Sequence, residues 1–121
     1  MTKILLVEDD ATMVSLLNTL LSIEGFQVSQ VKDYSRDAIL ETMRLEMPDL
    51  ALLDVNLRQL SGLDLLRSVR QDQTLKNLRI IMSSGIDFRW DCQAAGADSF
   101  ILKPYMPDDL IQQIHQVLSS S

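Results

Sequence analysis

The chain has 121 residues, enough for one compact domain with its own core and too few for two. Apolar residues make up 46% of it, which excludes disorder as the ground state. Its 11 basic and 17 acidic residues leave a net charge of −6, which argues against a phosphate-backbone footprint and direct nucleic-acid binding.

In chain order, Ile4–Val7 is a short apolar run of strand length that leads into three acids, Glu8, Asp9 and Asp10. Met13, Leu16, Leu17, Leu20 and Leu21 then share one helical stripe, closed by Gly25 as a C-cap. Phe26–Val31 is a second strand, less apolar at its Lys32-Asp33 end, as an edge strand is. A helix over about 35–45 is stopped by Pro48, and Leu50–Leu53 forms a third, fully apolar strand that ends on Asp54. Ser61-Gly62 opens a helix with stripe residues Leu63, Leu66 and Val69. Arg79–Met82 is a fourth strand with Ser84 beyond it, followed by a short helix over about 88–95. Phe100–Leu102 is the fifth strand, with Lys103 after it, and Leu110, Ile111, Ile114, Val117 and Leu118 mark the last helix.

Five strands alternating with five helices predict an α/β fold, a parallel sheet covered on both faces, in a single domain over 1–121. The one cysteine, Cys92, cannot make an internal disulfide, and four apolar residues make neither a signal peptide nor a membrane span. A cytoplasmic protein with no membrane partner is expected.

In any such topology the strand C-termini share one edge, where open α/β sheets bind their ligands. Glu8, Asp9, Asp54, Ser84 and Lys103 all stand there. Two like charges about 4 Å apart repel by roughly 4 kcal/mol at an effective dielectric near 20, so three carboxylates need cations. Lys103 offsets one charge, and a hard divalent ion such as Mg²⁺ with oxygen ligands and waters suits the rest. A carboxylate beside both is a nucleophile suited to phosphorus. Each residue alone has a plainer reading: the acids as a helix cap, Ser84 as a loop hydroxyl, Lys103 as a surface ammonium. Asp54 resists it, because it follows Leu50-Ala51-Leu52-Leu53 with no neighbouring cation in sequence.

At these residues the sequence resembles the receiver domain of two-component response regulators. The resemblance covers essentially the whole chain. It rests on Ile4-Leu5-Leu6-Val7-Glu8-Asp9-Asp10, Pro48-Asp49-Leu50-Ala51-Leu52-Leu53-Asp54, Ser61-Gly62-Leu63, Gly96-Ala97-Asp98 and Lys103-Pro104, in order. It implies a flavodoxin-like (βα)5 sandwich with sheet order 2-1-3-4-5 and a shortened fourth helix. It implies Asp54 as phospho-acceptor, with Mg²⁺ held by Asp9, Asp54 and the Asn56 backbone carbonyl, and by Glu8 through a water. Ser84 and Lys103 would meet phosphoryl oxygens, and Ser84 with Phe100 would form the switch. The Lys103–Pro104 bond would be cis, and Asp10 would only cap a helix. The implied partners are a histidine kinase or phosphotransfer protein, and an effector protein or a C-terminal output domain not in this chain. A homodimer is one further state. Beyond its own phosphorylation and dephosphorylation, no enzyme activity is implied.

Several residues depart from the family pattern. The Ser84–Lys103 stretch is shorter than usual, which points to a reduced fourth helix and a modified output surface. Trp90 within it reads first as core packing and otherwise as a partner anchor. Arg58 replaces a common proline after the acceptor, Gly85 replaces an alanine, and Met106 stands where a capping side chain belongs. Ile86 cannot orient an attacking water, so slow self-dephosphorylation is expected. His115 reads as a rim residue, Cys92 as packing, and the six methionines as core filler.

Two other classes compete. One is a phosphorylation-independent adaptor that keeps the acidic pocket. The other is a Mg²⁺-dependent aspartyl phosphohydrolase, which needs an acid at position 56 and its nucleophile on the first strand, and has neither. With only Gly25, Gly62, Gly85 and Gly96, no Gly-rich loop follows the first strand, and a nucleotide site is disfavoured.

Overall fold

The structure, a computed structural model, describes residues 1–120. Its elements alternate throughout: β1 Lys3–Val7, α1 Ala11–Ile23, β2 Gln27–Gln30, α2 Arg36–Glu46, β3 Leu50–Asp54, α3 Gly62–Gln71, β4 Arg79–Ser84, α4 Arg89–Ala94, β5 Ser99–Leu102 and α5 Pro107–Ser119. The five strands pair in parallel in the order β2-β1-β3-β4-β5, as the resemblance implied. Among the described residues no helix is long and apolar enough to cross a membrane.

Successive strand side chains point to opposite faces, so the central strands feed two cores. Leu5, Val7, Ala51, Leu53, Ile80 and Met82 pack with residues of α2, α3 and α4. Ile4, Leu6, Leu50, Leu52, Ile81 and Ile101 pack with α1 and α5. All five residues of β3 are buried, which is why that strand reads as a continuous apolar run.

Local chemistry sets most helix ends. Asp10 caps α1 by accepting from the N–H groups of Thr12 and Met13, at 3.0 and 3.2 Å. Ser35 and Ser61 cap α2 and α3 in the same way. Gly25, at φ +94°, lies one residue past the C-cap Glu24 of α1. Its N–H donates to the Ser22 carbonyl, and that of Phe26 to the Leu21 carbonyl, a Schellman closure with Phe26 and Leu21 in one core. At α5, Met106 has the extended backbone of a cap but no side-chain bond, and Pro107 takes the first turn.

Some sequence readings need correction. Leu16 is 52% exposed, because the buried residues of α1 are Leu17 and Leu21, flanked by the half-buried Met13 and Val14. Trp90 is 77% exposed, since the six-residue α4 turns only Cys92 fully inward. Met43 and Met82 are core residues, whereas Met1, Met47 and Met106 are exposed. β2 is shorter than Phe26–Val31, and β4 extends to include Ser84. Three further readings agree: Lys103–Pro104 is cis, His115 lies on the rim with its ring 5.6 Å from that of Phe26, and Cys92 is buried. Burial, with the charge of Asp91, pushes the Cys92 thiol up to about 11.

Candidate functional site

The alternation that builds the two cores also sorts the polar residues at the carboxyl edge. Glu8 continues the face of Ile4 and Leu6, Asp54 that of Leu50 and Leu52, and Lys103 that of Ile101. The three side chains meet there. Lys103 Nζ donates to Glu8 Oε1 at 2.6 Å and to Asp54 Oδ2 at 3.0 Å. Glu8 and Asp54 are both buried, at 5% and 7% exposure, so this ammonium balances charge that water scarcely reaches.

Asp9 and Ser84 have the opposite parity, continuing Leu5 with Val7 and Ile80 with Met82. Asp9 Oδ2 accepts the Arg58 N–H at 2.7 Å, tying the turn after β1 to the loop after β3. Ser84 is fully buried, and its Oγ accepts from Asn56 Nδ2 at 3.2 Å and from the Ile86 N–H at 3.1 Å. Asn56 also donates its own N–H to Asp54 Oδ1, at 3.2 Å. Phe100 is half-buried opposite Met82 in the β4–β5 pairing, on the face of Ser84.

Lys103 thus joins Glu8 to Asp54, while Asp9 Oδ2 is turned to the Arg58 N–H. Among the described residues no three acidic, histidine or cysteine side chains lie close enough to hold a metal ion together. The available donors, the carboxylates of Asp9 and Asp54 and the Asn56 carbonyl, are all hard oxygens. They suit Mg²⁺, which keeps several of its waters and needs few protein ligands.

Burial raises the Glu8 carboxyl above its ordinary value; the hydrogen bond from Lys103 opposes this, and the charge of Asp54 adds to it. For Lys103, burial works against the ammonium, but hydrogen bonds to Glu8 and Asp54 and their charges outweigh it, and the net shift is upward. Lys103 thus stays charged. Beside the site a cleft of ≈ 400 Å³ opens between α1 and the end of β2, lined by Glu8, Asp9, Asn18, Gln30 and Tyr34 among others.

A family model described as the response regulator receiver domain matches residues 4–115. The chain belongs to the response regulator receiver family. Relatives agree with that placement. The cell cycle transcriptional regulator CtrA of Caulobacter vibrioides is 34% identical over 120 residues, which is 98% of this chain and 51% of CtrA. The chain thus spans about half the length of that curated relative. Among solved structures, the BeF3-activated N-terminal receiver domain of Klebsiella pneumoniae RstA superposes with a TM-score of 0.87 at 27% identity, covering 98% of this chain and 100% of that one. The receiver domain of the sensor histidine kinase PA1611 of Pseudomonas aeruginosa, with magnesium in its active-site cleft, gives 0.85 at 24% identity, covering 98% of each.

Two contacts of this receiver lay outside the sequence reading. Tyr34 donates its hydroxyl to the Glu8 main-chain carbonyl at 2.5 Å, pinning the acidic turn from the loop after β2. Burial first, then the charges of Asp9 and Glu8, hold its phenol above the ordinary range. The Asn56 side chain, as distinct from its carbonyl, links the loop after Asp54 to Ser84. The spacing of Asn56, two past the acid, was the one available signal.

Proposed function

We propose that this receiver takes a phosphoryl group from a phosphohistidine onto Asp54 and so switches a protein-binding surface. The observation that carries the reading is the Lys103 ammonium held between Glu8 and Asp54 at the carboxyl edge of the sheet. An Asp54 oxygen attacks phosphorus in line, the new O–P bond forms as the P–N bond breaks, and the imidazole nitrogen leaves with the electron pair. Lys103 neutralises phosphoryl oxygens as charge develops, and the buried Ser84 hydroxyl donates to another. Mg²⁺ on Asp9, Asp54 and the Asn56 carbonyl, with Glu8 reaching it through water, would supply further charge neutralisation; the PA1611 receiver, which shares the fold, holds magnesium in its cleft. The acyl phosphate adds charge and acceptor oxygens beside Ser84, biasing Ser84 and Phe100 toward a second packing.

The donor is a histidine kinase or phosphotransfer protein in the cytoplasm, and the output is an effector protein, a further domain or a second copy. The exposed Trp90 on α4 supports protein contact on that face. A phosphorylation-independent adaptor is the second reading, favoured by the short, six-residue α4. Incubation with a phosphorylated histidine donor and Mg²⁺ separates the two. Labelled phosphate is expected on the wild-type chain and lost in a folded Asp54→Ala variant. Equal labelling of that variant overturns the assignment, and an unlabelled wild type favours the adaptor.

A further inference from the structure

The hydroxyl of Ser84 is committed in an unusual way. A serine hydroxyl offers one donor and two acceptor lone pairs. Here both acceptor positions are used, by Asn56 Nδ2 at 3.2 Å and the Ile86 N–H at 3.1 Å. Ser84 is fully buried, and among the described residues no acceptor takes its proton. A hydroxyl so loaded can meet any further group only as a donor. The same residue that supplies one of these bonds also donates its main-chain N–H to Asp54 Oδ1, at 3.2 Å. Asn56 is exposed, so its amide has water available and is not forced onto Ser84 by lack of other partners.

We propose that the Asn56 side-chain amide is a positioning residue that holds Ser84 as a hydrogen-bond donor toward an anion seated on Asp54. The inference rests on the reading of Asp54 as phospho-acceptor. Without the amide, one lone pair of Ser84 is left without a donor, and the hydroxyl rotor is no longer fixed by two donors. The orientation must then be organised when the anion arrives, at a cost in affinity. Asn56 acts through Ser84 and not on the anion itself, so its effect must vanish when the hydroxyl is gone.

The test is a double-mutant cycle on the full chain at saturating Mg²⁺, reading beryllofluoride affinity by calorimetry. Asn56→Leu keeps the side-chain size and the main-chain carbonyl but removes the amide. It should weaken beryllofluoride binding by about tenfold, the scale of a hydrogen bond to a charged group. In a Ser84→Ala background the same change should alter affinity by less than about twofold. An Asn56→Leu variant with wild-type affinity, or one that loses the same factor with and without Ser84, overturns the proposal. Should Asn56→Leu fail to fold by thermal unfolding, Asn56→Ala at this exposed position carries the same cycle. Absence of beryllofluoride binding by the wild type is a different result: it overturns the Asp54 reading itself.

Discussion

Two glycines near the site should respond oppositely to alanine. Gly62 begins α3, and its N–H donates to the Val55 carbonyl at 2.8 Å, so the helix starts hard against the end of β3. A Cβ there would lie 2.1 Å from the Asp54 carbonyl oxygen, 2.7 Å from Val55 Cα and 2.9 Å from the Asp54 carbonyl carbon. Real Cβ contacts essentially never fall below 3.0 Å, so strand end and helix start must part by about 1 Å. These are backbone atoms of a buried strand, with no flexible side chain to give way. Overpacking of this kind costs about 1–3 kcal/mol. The better helix propensity of alanine recovers at most about 1 kcal/mol, and less at a first helical position. We expect Gly62→Ala to lose about 2 kcal/mol net, a drop of about 1 M in the urea midpoint for a domain of this size. Gly85, just past β4, is the control. Nothing lies within 4 Å of its notional Cβ, and its φ lies outside the left-handed region. Gly85→Ala should therefore gain about 0.4–1 kcal/mol by restricting the unfolded chain. Urea unfolding of both variants decides the matter. A Gly62→Ala midpoint within error of wild type, or equal losses at both glycines, refutes the steric argument.

Glu8 gives a pH signature in the metal-free protein. Its folded pKa lies above the usual 4.5, so between those two values the folded chain binds more protons than the unfolded one. Its contribution to stability therefore falls as pH rises through that window. Stability measured from pH 4 to 7 in chelator should show Glu8→Gln gaining on wild type as pH increases, and a difference independent of pH contradicts this. At α5, Met106 already has cap geometry, at φ −78° and ψ 142°, without a cap bond. Met106→Ser should raise stability by about 1 kcal/mol, read as a higher urea midpoint.

Much of this protein was legible in its sequence because the governing interactions are local. Helix caps at Asp10, Ser35 and Ser61 need only a side-chain oxygen two or three residues before an N–H. The Gly25 closure needs only a residue free to adopt positive φ. Burial on both faces makes β3 apolar throughout, and so its terminal Asp54 stands out. The same strand periodicity decided which polar groups share a face, and it was present in the sequence at Glu8, Asp54 and Lys103.

Tertiary structure alone decided the rest, because it depends on distances between segments that no spacing encodes. The salt bridge of Lys103 to Glu8 closes 95 residues of chain, the hydrogen bond of Tyr34 to the Glu8 carbonyl 26, and that of Asn56 to Ser84 28. Arg70 is a further case: its guanidinium joins the Leu78 and Gly96 carbonyls and Asp98, holding the end of α4 against β4. Whether Trp90 faced the core or solvent turned on how a six-residue helix lies on the sheet. Composition and periodicity determined that four of the five strands would deliver acids, a hydroxyl and an ammonium to one edge. Only the packed fold, by fixing sheet register and loop paths to within a hydrogen bond's length, decided which of them touch.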